Sequence, residues 1–212
     1  MAEQKARVRD AEMTRARILA AAKAEFARLG LGGARVDEIA EKAQANKRMI
    51  YHYFGSKEGL FKAVLEDAWL DIRTAEQGLS LQDLPPREAL VALVTFTLNY
   101  YLEHPEFIRL VNSENLHEAR HITGSPRLQE ATGKLNEMVG DILRRGEEDG
   151  VFRPGVDPVQ LNISIAALGY YYLTNRFTGA ILFQRDFMEP SALDERLAFN
   201  IETILRLVEA DR

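Results

Sequence analysis

Helical periodicity is the feature of this sequence that most limits its fold. From residue 14 to residue 29 apolar side chains recur at steps of three and four, which places them on one side of a helix capped by Thr14. Comparable segments follow at 87–103, 127–148, 158 to about 178 and 191–209, separated by Pro, Gly and Ser clusters. No segment alternates between apolar and polar residues as a half-buried strand does. The pattern predicts an all-α protein of about nine helices.

Composition removes several classes of chemistry. The 212 residues include no cysteine, so disulfides, thiol nucleophiles and thiolate metal sites are excluded, and a cytoplasmic location is expected. The N-terminus is charged and lacks the apolar core of a secretory signal. The most apolar stretch, 161–183, contains Asn162, Asn175 and Arg176, so we expect a buried helix and no membrane partner.

Charge is distributed unevenly along the chain. Residues 1–57 carry 12 Lys and Arg against 7 Asp and Glu, a net charge of +5, whereas the remainder carries 15 against 25, a net charge of −10. A basic N-terminal part on an acidic body indicates a polyanionic partner for that part alone. The alternative, a solvated basic face without a partner, is equally compatible with the charge count.

Two short helices are predicted around residues 36–43 and 47–54, joined by a tight turn, which is the arrangement of a helix-turn-helix. Asn46 is suited to cap the second helix. With Ile50 and Phe54 buried, this helix would point five side chains outward: Lys47, Arg48, Met49, Tyr51 and His52. Arg and Lys donate to guanine O6 and N7, and Tyr, His and Lys donate to phosphates. Simple aromatic packing of this segment is the alternative, but it would bury Lys47 and Arg48 at high cost.

The stretch from Arg17 to Val64 resembles the TetR family of regulators. The matching strings are ILAAAKAEFARLG, DEIAEKA and, most specifically, IYHYFGSKEGLF from Ile50 to Phe61. The resemblance implies base contacts by Lys47, Arg48, Met49 and Tyr51, with a mixed role for His52. It also implies that phosphates are held by Arg35, Tyr53 and Lys57.

Two positions depart from the family pattern. Arg35 replaces the usual Thr or Ser and cannot cap its helix with a hydroxyl group, although it could contact a phosphate. Gln44 replaces the usual Gly, so the turn either accepts a left-handed residue at about 1 kcal/mol or takes another shape. Both departures affect how the motif docks on DNA.

The expected organisation is a flexible basic arm at 1–13, a helix-turn-helix domain of three helices at 14–57 and a helical ligand-binding and dimerisation domain at 58–212. One helix-turn-helix contacts too little DNA for specificity, so we expect a homodimer on a palindromic operator. The last two helices carry wide apolar stripes, and in the family they pair as a four-helix bundle; the alternative is that they close the monomer core. The candidate dimer residues are Leu161, Ile165, Leu168, Tyr172, Leu197, Ile201, Ile204 and Val208.

A small-molecule effector is the second expected partner. Aromatic side chains with interspersed amides and histidines could line a mostly apolar cavity with a few polar anchors. The resemblance implies that an effector relieves repression by favouring a conformer that no longer fits DNA. The candidate ligand-binding residues are Phe96, Tyr100, Asn112, Asn115, His117, His121, Tyr171 and Asn175.

A competing interpretation comes from the segment His117 to His121, HEARH, which matches the zinc-protease motif H-E-x-x-H. Arg127 stands where a third histidine is expected and Pro126 interrupts the helix, although Glu130 or Glu137 could supply a ligand. We expect no enzyme, no catalytic residue and no cofactor. A metal-binding sensor or zinc-dependent hydrolase through His117 and His121 stays the alternative.

Overall fold

The computed structural model describes residues 2–210, with side chains from residue 9. Within residues 2–210 it contains α-helices, one 3-10 turn at Leu81–Asp83 and no β-strand. The all-α prediction is therefore confirmed, with ten helices where about nine were expected. The helices are α1 (Ala2–Gly33), α2 (Val36–Lys42), α3 (Lys47–Phe54), α4 (Lys57–Gln77), α5 (Pro86–Glu103), α6 (Pro105–Asn115), α7 (Pro126–Glu148), α8 (Pro158–Thr174), α9 (Arg176–Leu182) and α10 (Pro190–Val208).

The first helix differs from its predicted bounds. It begins at Ala2, so Thr14 lies inside it and donates its hydroxyl hydrogen bond to the Asp10 carbonyl four residues earlier, at 2.8 Å. Residues 2–13, expected as an arm, are helical because Ala, Glu, Lys and Arg dominate the segment and favour helix. Near its other end the helix kinks at Gly30, whose φ of 66° is open to glycine at little cost.

Contacts between residues divide the chain into two compact units. The first runs to Leu70 and also includes Pro105–Arg127, so it contains α1 to α3, most of α4, and α6. The predicted boundary between residues 57 and 58 separates a DNA-binding domain from a ligand-binding domain by function. The compact units do not test that boundary, so it stays a proposal. The core of this unit is mostly apolar, and the buried rings of Phe26 and Phe61 meet edge to face at 5.0 Å.

The second unit comprises Asp71–His104 and the chain from Leu128. Its core is built from α5, α7, α8 and α10. Four predicted dimer residues lie in this core: Leu161, Ile165, Ile204 and Val208. The monomer itself covers these four side chains, and the set of dimer residues stays a prediction. Leu168 and Ile201 pack against the core and are partly buried, as are Tyr172 and Leu197. Periodicity identified apolar faces, but not which of them the monomer itself would cover.

The apolar stretch 161–183 is not one buried helix. It is divided at Asn175 into α8 and α9, and it exposes several large apolar side chains: Tyr171 on α8, and Phe177, Ile181, Leu182 and Phe183 after the division. The expectation of a buried helix therefore holds only for one side of α8. Among the residues that the structure describes, no helix is long and apolar enough to span a bilayer.

Candidate nucleic-acid interface

Helix α3 is formed and oriented by a few local contacts. Asn46 caps it, since its Oδ1 accepts a hydrogen bond from the Arg48 amide at 2.8 Å. Ile50 is completely buried, which points the opposite side of the helix to solvent. Arg48, Tyr51 and His52 are exposed as predicted, with Tyr51 43% accessible, and Lys47 is exposed beside them. Met49 and Tyr53 are half-buried.

The turn before α3 adopts the left-handed alternative. Gln44 has a φ of 49°, a conformation that a non-glycine residue adopts at a cost of about 1 kcal/mol. The Gln44 amide donates to the Glu41 carbonyl, and the Ala45 amide donates to the Ala40 carbonyl. The turn therefore keeps the shape that glycine would allow. Arg35 makes no side-chain capping bond to α2 and is exposed, as its residue type predicted.

Helix α2 is held against α1 by a buried carboxylate that the sequence did not single out. Glu25 on α1 accepts a hydrogen bond from Lys42 Nζ at 2.6 Å and another from Arg28 at 3.1 Å. The hydrogen bond from Lys42 keeps the pKa of the Glu25 carboxyl below its ordinary value, although burial raises it and Arg28 lowers it further. Because α2 and α3 are joined by a turn of only four residues, 43–46, this ion pair also helps to set the position of α3.

The junction between α3 and α4 requires a glycine. Ser56 caps α4 by accepting a hydrogen bond from the Gly59 amide at 3.0 Å. A Cβ atom added to Gly59 would lie 2.1 Å from the Phe54 carbonyl oxygen, so any side chain would push the end of α3 away. Lys57, half-buried, begins α4 at this junction. The string that carried the family resemblance contained Gly59, yet its packing role depends on tertiary structure.

Electrostatics links the exposed face of α3 to α2. Lys47 Nζ lies 2.8 Å from Asp37 Oδ1, and both side chains are substantially exposed. The hydrogen bond to Asp37 raises the pKa of Lys47, while partial desolvation and the nearby Arg35 oppose that shift. Asp37 was not among the predicted site residues because the two positions are ten residues apart and meet only in the folded motif.

The predicted ligand-binding residues fall into both units. Asn112, Asn115, His117 and His121 belong to the first unit, and the other four belong to the second: Phe96, Tyr100, Tyr171 and Asn175. Within the second unit the rings of Phe96 and Tyr100 lie 5.6 Å apart. The Tyr100 hydroxyl donates to Asp71 at 2.7 Å, whereas Tyr171 is 66% exposed. Ligand binding by these eight residues stays a prediction.

The HEARH segment does not form the helix that a zinc-protease motif requires. After α6 ends at Asn115 the chain continues in turns, and Glu118 and Ala119 have left-handed φ values of 58° and 57°. Across the part of the chain that the structure describes, no group of three or more His, Asp or Glu side chains is arranged to hold a metal ion. The hydrolase and metal-sensor alternative is therefore not supported.

Glu114 explains how this turn is held instead. Its carboxylate is 3% exposed and accepts hydrogen bonds from the His121 amide at 2.7 Å and the Ile122 amide at 3.3 Å. His121 Nδ1 lies 2.6 Å from the other carboxylate oxygen, and its ring meets Phe61 edge to face at 5.1 Å. His117 Nδ1 lies 2.7 Å from the Ser113 carbonyl oxygen. The histidines thus have structural partners in the first unit.

A capped helix with a polar exposed face, preceded by a second short helix and a tight turn, defines a helix-turn-helix DNA-binding protein. Residues 18–64 match the family model described as "Bacterial regulatory proteins, tetR family". Residues 86–204 match the model described as "Tetracyclin repressor-like, C-terminal domain". Together these matches span most of the chain, which therefore belongs to the TetR family of transcriptional regulators.

Two of the proteins that this chain resembles in sequence are named transcriptional repressors. The chain is 36% identical over 200 residues to the HTH-type transcriptional repressor NicS of Pseudomonas putida, covering 94% of each chain. It is 35% identical over 162 residues to the HTH-type transcriptional repressor SCO4008 of Streptomyces coelicolor, covering 76% of this chain and 78% of that one. A crystal structure of SCO4942 from Streptomyces coelicolor superimposes with a TM-score of 0.68 at 27% identity, covering 92% and 98% of the two chains.

Proposed function

We propose that this protein is a ligand-responsive transcriptional repressor that binds a palindromic operator as a homodimer and is released by a small-molecule effector. One observation carries the proposal: α3 buries Ile50 and turns Lys47, Arg48 and Tyr51 to solvent. The similarity to named repressors favours repression over activation. The protein would act on DNA inside the cell.

The roles on DNA follow from chemistry and position. Lys47, Arg48, Met49 and Tyr51 would contact base edges, with His52 at the border between bases and backbone. Arg35, Tyr53 and Lys57 would hold phosphates, and Asn46 would fix the start of the helix against the groove. The net charge of +5 over residues 1–57 supports this division of the chain.

The homodimer is supported by exposed apolar surface on α8 and α10. Ile163 and Tyr171 on α8, and Phe199 and Leu207 on α10, are all more than two-fifths exposed in the monomer. Between these helices runs a mostly apolar groove of about 430 Å³ whose walls include Leu168. An exposed apolar face of this kind is typical of a surface that a partner covers.

Effector binding is supported by polar groups buried in the second unit. Arg73 and Glu76 approach within 3.0 Å there, and burial raises the pKa of Glu76 to about 7. A buried polar group inside an apolar core is a frequent anchor for a ligand. An effector would release DNA by binding more tightly to a conformer whose two reading helices do not match the groove spacing.

The test begins with selection of duplexes from a random-sequence library by the purified wild-type protein. We expect enrichment of a palindrome whose half-sites lie about 34–36 Å apart or a multiple of that distance. Light scattering should give a dimer. Absence of any enriched sequence would overturn the DNA-binding proposal, and a monomer bound to a single half-site would overturn the dimer.

The effector part has its own test. The enriched duplex is bound by the protein, and a library of metabolites is screened for compounds that release it. A compound that releases the duplex should also raise the melting temperature of the free protein, since it binds the folded state. Failure of every compound to change operator affinity would remove the effector from the proposal.

A further inference from the structure

The ion pair between Lys47 and Asp37 is not used by the proposed function. Lys47 is the first residue of α3, and Asp37 is the second residue of α2. Their charged atoms are 2.8 Å apart although 46% of the lysine side chain and 62% of the aspartate side chain remain exposed. The pair therefore lies on the face that would meet DNA.

We propose that Asp37 is a specificity-determining residue, which lowers affinity for non-operator DNA by engaging Lys47 and leaves Lys47 able to read a base. This inference rests on the proposed binding of operator DNA through α3. It assigns a role to an acidic residue on a surface whose predicted contacts include four cations and no acid: Arg35, Lys47, Arg48 and Lys57.

Phosphate binding is the interaction that Asp37 would weaken. Non-specific affinity comes almost entirely from cations that neutralise phosphates and release counterions. A lysine engaged by a carboxylate forms a pair with no net charge, and a phosphate that approaches Lys47 also approaches the negative charge of Asp37. Lys47 therefore contributes less to random binding than an unpaired lysine would.

Asp37 affects the recognition of bases by Lys47 less than it affects the binding of phosphates. A lysine ammonium group has three donors, and one hydrogen bond to Asp37 leaves two for guanine O6 and N7. Base edges carry no net charge, so the carboxylate does not repel them as it repels a phosphate. Asp37 can also accept from the amino group of cytosine, so the pair offers both donors and an acceptor to a G·C base pair.

A purely structural role for Asp37 is the competing explanation. An acidic residue in the first turn of a helix stabilises that helix through the helix dipole. Glu38 occupies the same turn, is exposed, and forms no ion pair with another residue that the structure describes. Glu38→Gln therefore removes the same charge from the same turn without touching Lys47, and it is the matched control.

The experiment compares Asp37→Asn with Glu38→Gln on the duplex selected by the wild-type protein and on a random-sequence duplex. Asp37→Asn should bind the random duplex more tightly, with the slope of log affinity against log salt steeper by about 0.9, or about eightfold in affinity per tenfold change in salt. Its operator affinity should change less, so the specificity ratio falls. Glu38→Gln should change both duplexes by the same small factor.

A double-mutant cycle with Lys47→Ala distinguishes the effect of the Lys47–Asp37 ion pair from the effect of removing one negative charge near the DNA. In the Lys47→Ala background, Asp37→Asn should behave like Glu38→Gln. The proposal is overturned if Asp37→Asn matches Glu38→Gln in the wild-type background, or if it lowers the melting temperature and binds both duplexes more weakly. Failure of the proposed function would show earlier, as a wild-type protein that selects no duplex.

Discussion

Glu25 Oε2 lies 2.6 Å from Lys42 Nζ, and the carboxylate is 1% exposed while the lysine remains half in solvent. This pair joins α1 to α2, and the carboxylate also accepts a hydrogen bond from Arg28. The DNA-binding motif thus depends on a charged contact in its interior as well as on apolar packing.

Replacing Glu25 by Gln should lower the free energy of unfolding by about 1 to 3 kcal/mol, because two charge-assisted hydrogen bonds to a buried acceptor are weakened. The measurement is urea unfolding at pH 7. Glu41→Gln, which removes an exposed charge from α2, is the control and should stay within about 0.5 kcal/mol of wild type.

The same pair predicts a pH dependence. The pKa of the folded-state Glu25 carboxyl is lowered by Lys42 and Arg28, so its contribution is present above the ordinary glutamate pKa of about 4.3 and is lost as the pH falls through the folded-state value. The stability difference between wild type and Glu25→Gln should therefore shrink in acid. A constant difference from pH 7 to pH 3 would contradict this assignment.

Arg48 and Lys57 should differ in what their loss does to DNA binding. Arg48→Ala should weaken operator binding by about 1 to 3 kcal/mol and leave random DNA nearly unaffected, since it would remove a base contact. Lys57→Ala should weaken both duplexes evenly and flatten the salt dependence. Fluorescence anisotropy at several salt concentrations measures both effects, and an equal loss on the two duplexes for Arg48→Ala would show that it reads no base.

Gly59→Ala should disturb the end of α3. The added methyl group would meet the Phe54 carbonyl at 2.1 Å, so the two helices must separate, at a cost of about 1 to 3 kcal/mol in stability. Operator affinity should fall at temperatures where the variant is still folded. Gly32→Ala, at an open position near the end of α1, is the control; equal behaviour of the two variants would refute the contact.

Glu76 gives a pH effect of opposite sign to that of Glu25. Burial raises the pKa of this carboxyl to about 7, against the lowering effect of Arg73, so the folded state favours the protonated form. Relative to Glu76→Gln, the wild-type protein should lose about 3 kcal/mol of stability as the pH rises from about 4.5 through 7. Urea unfolding from pH 5 to pH 8 measures this, and parallel curves for the two proteins would contradict it.

The first residue of a helix could be predicted from the sequence where a proline stands at that position. Four helices begin at Pro86, Pro126, Pro158 or Pro190, each within one residue of the predicted start, because proline is favoured in the first turn. The start of α1 and the break at Asn175 were missed, since neither position carries a proline or glycine.

The site was predicted where local spacing decides exposure and missed where tertiary contact does. Burial of Ile50 and exposure of Arg48 follow from helical spacing within α3. The pairs that involve Glu25 and Asp37 join positions 17 and 10 residues apart. No periodicity within one helix contains that information.

The first unit is formed by two separate segments of the chain, and this restricts the design of fragments and chimeras. A fragment cut after Leu70 would lose α6, and with it Phe107, whose ring packs edge to face on Trp69 at 5.0 Å. It would also lose the Glu114 and His121 contacts that reach Phe61. A chimera that borrows the DNA specificity of a relative must therefore transplant two separate stretches of sequence, or leave unmatched packing where the second should be.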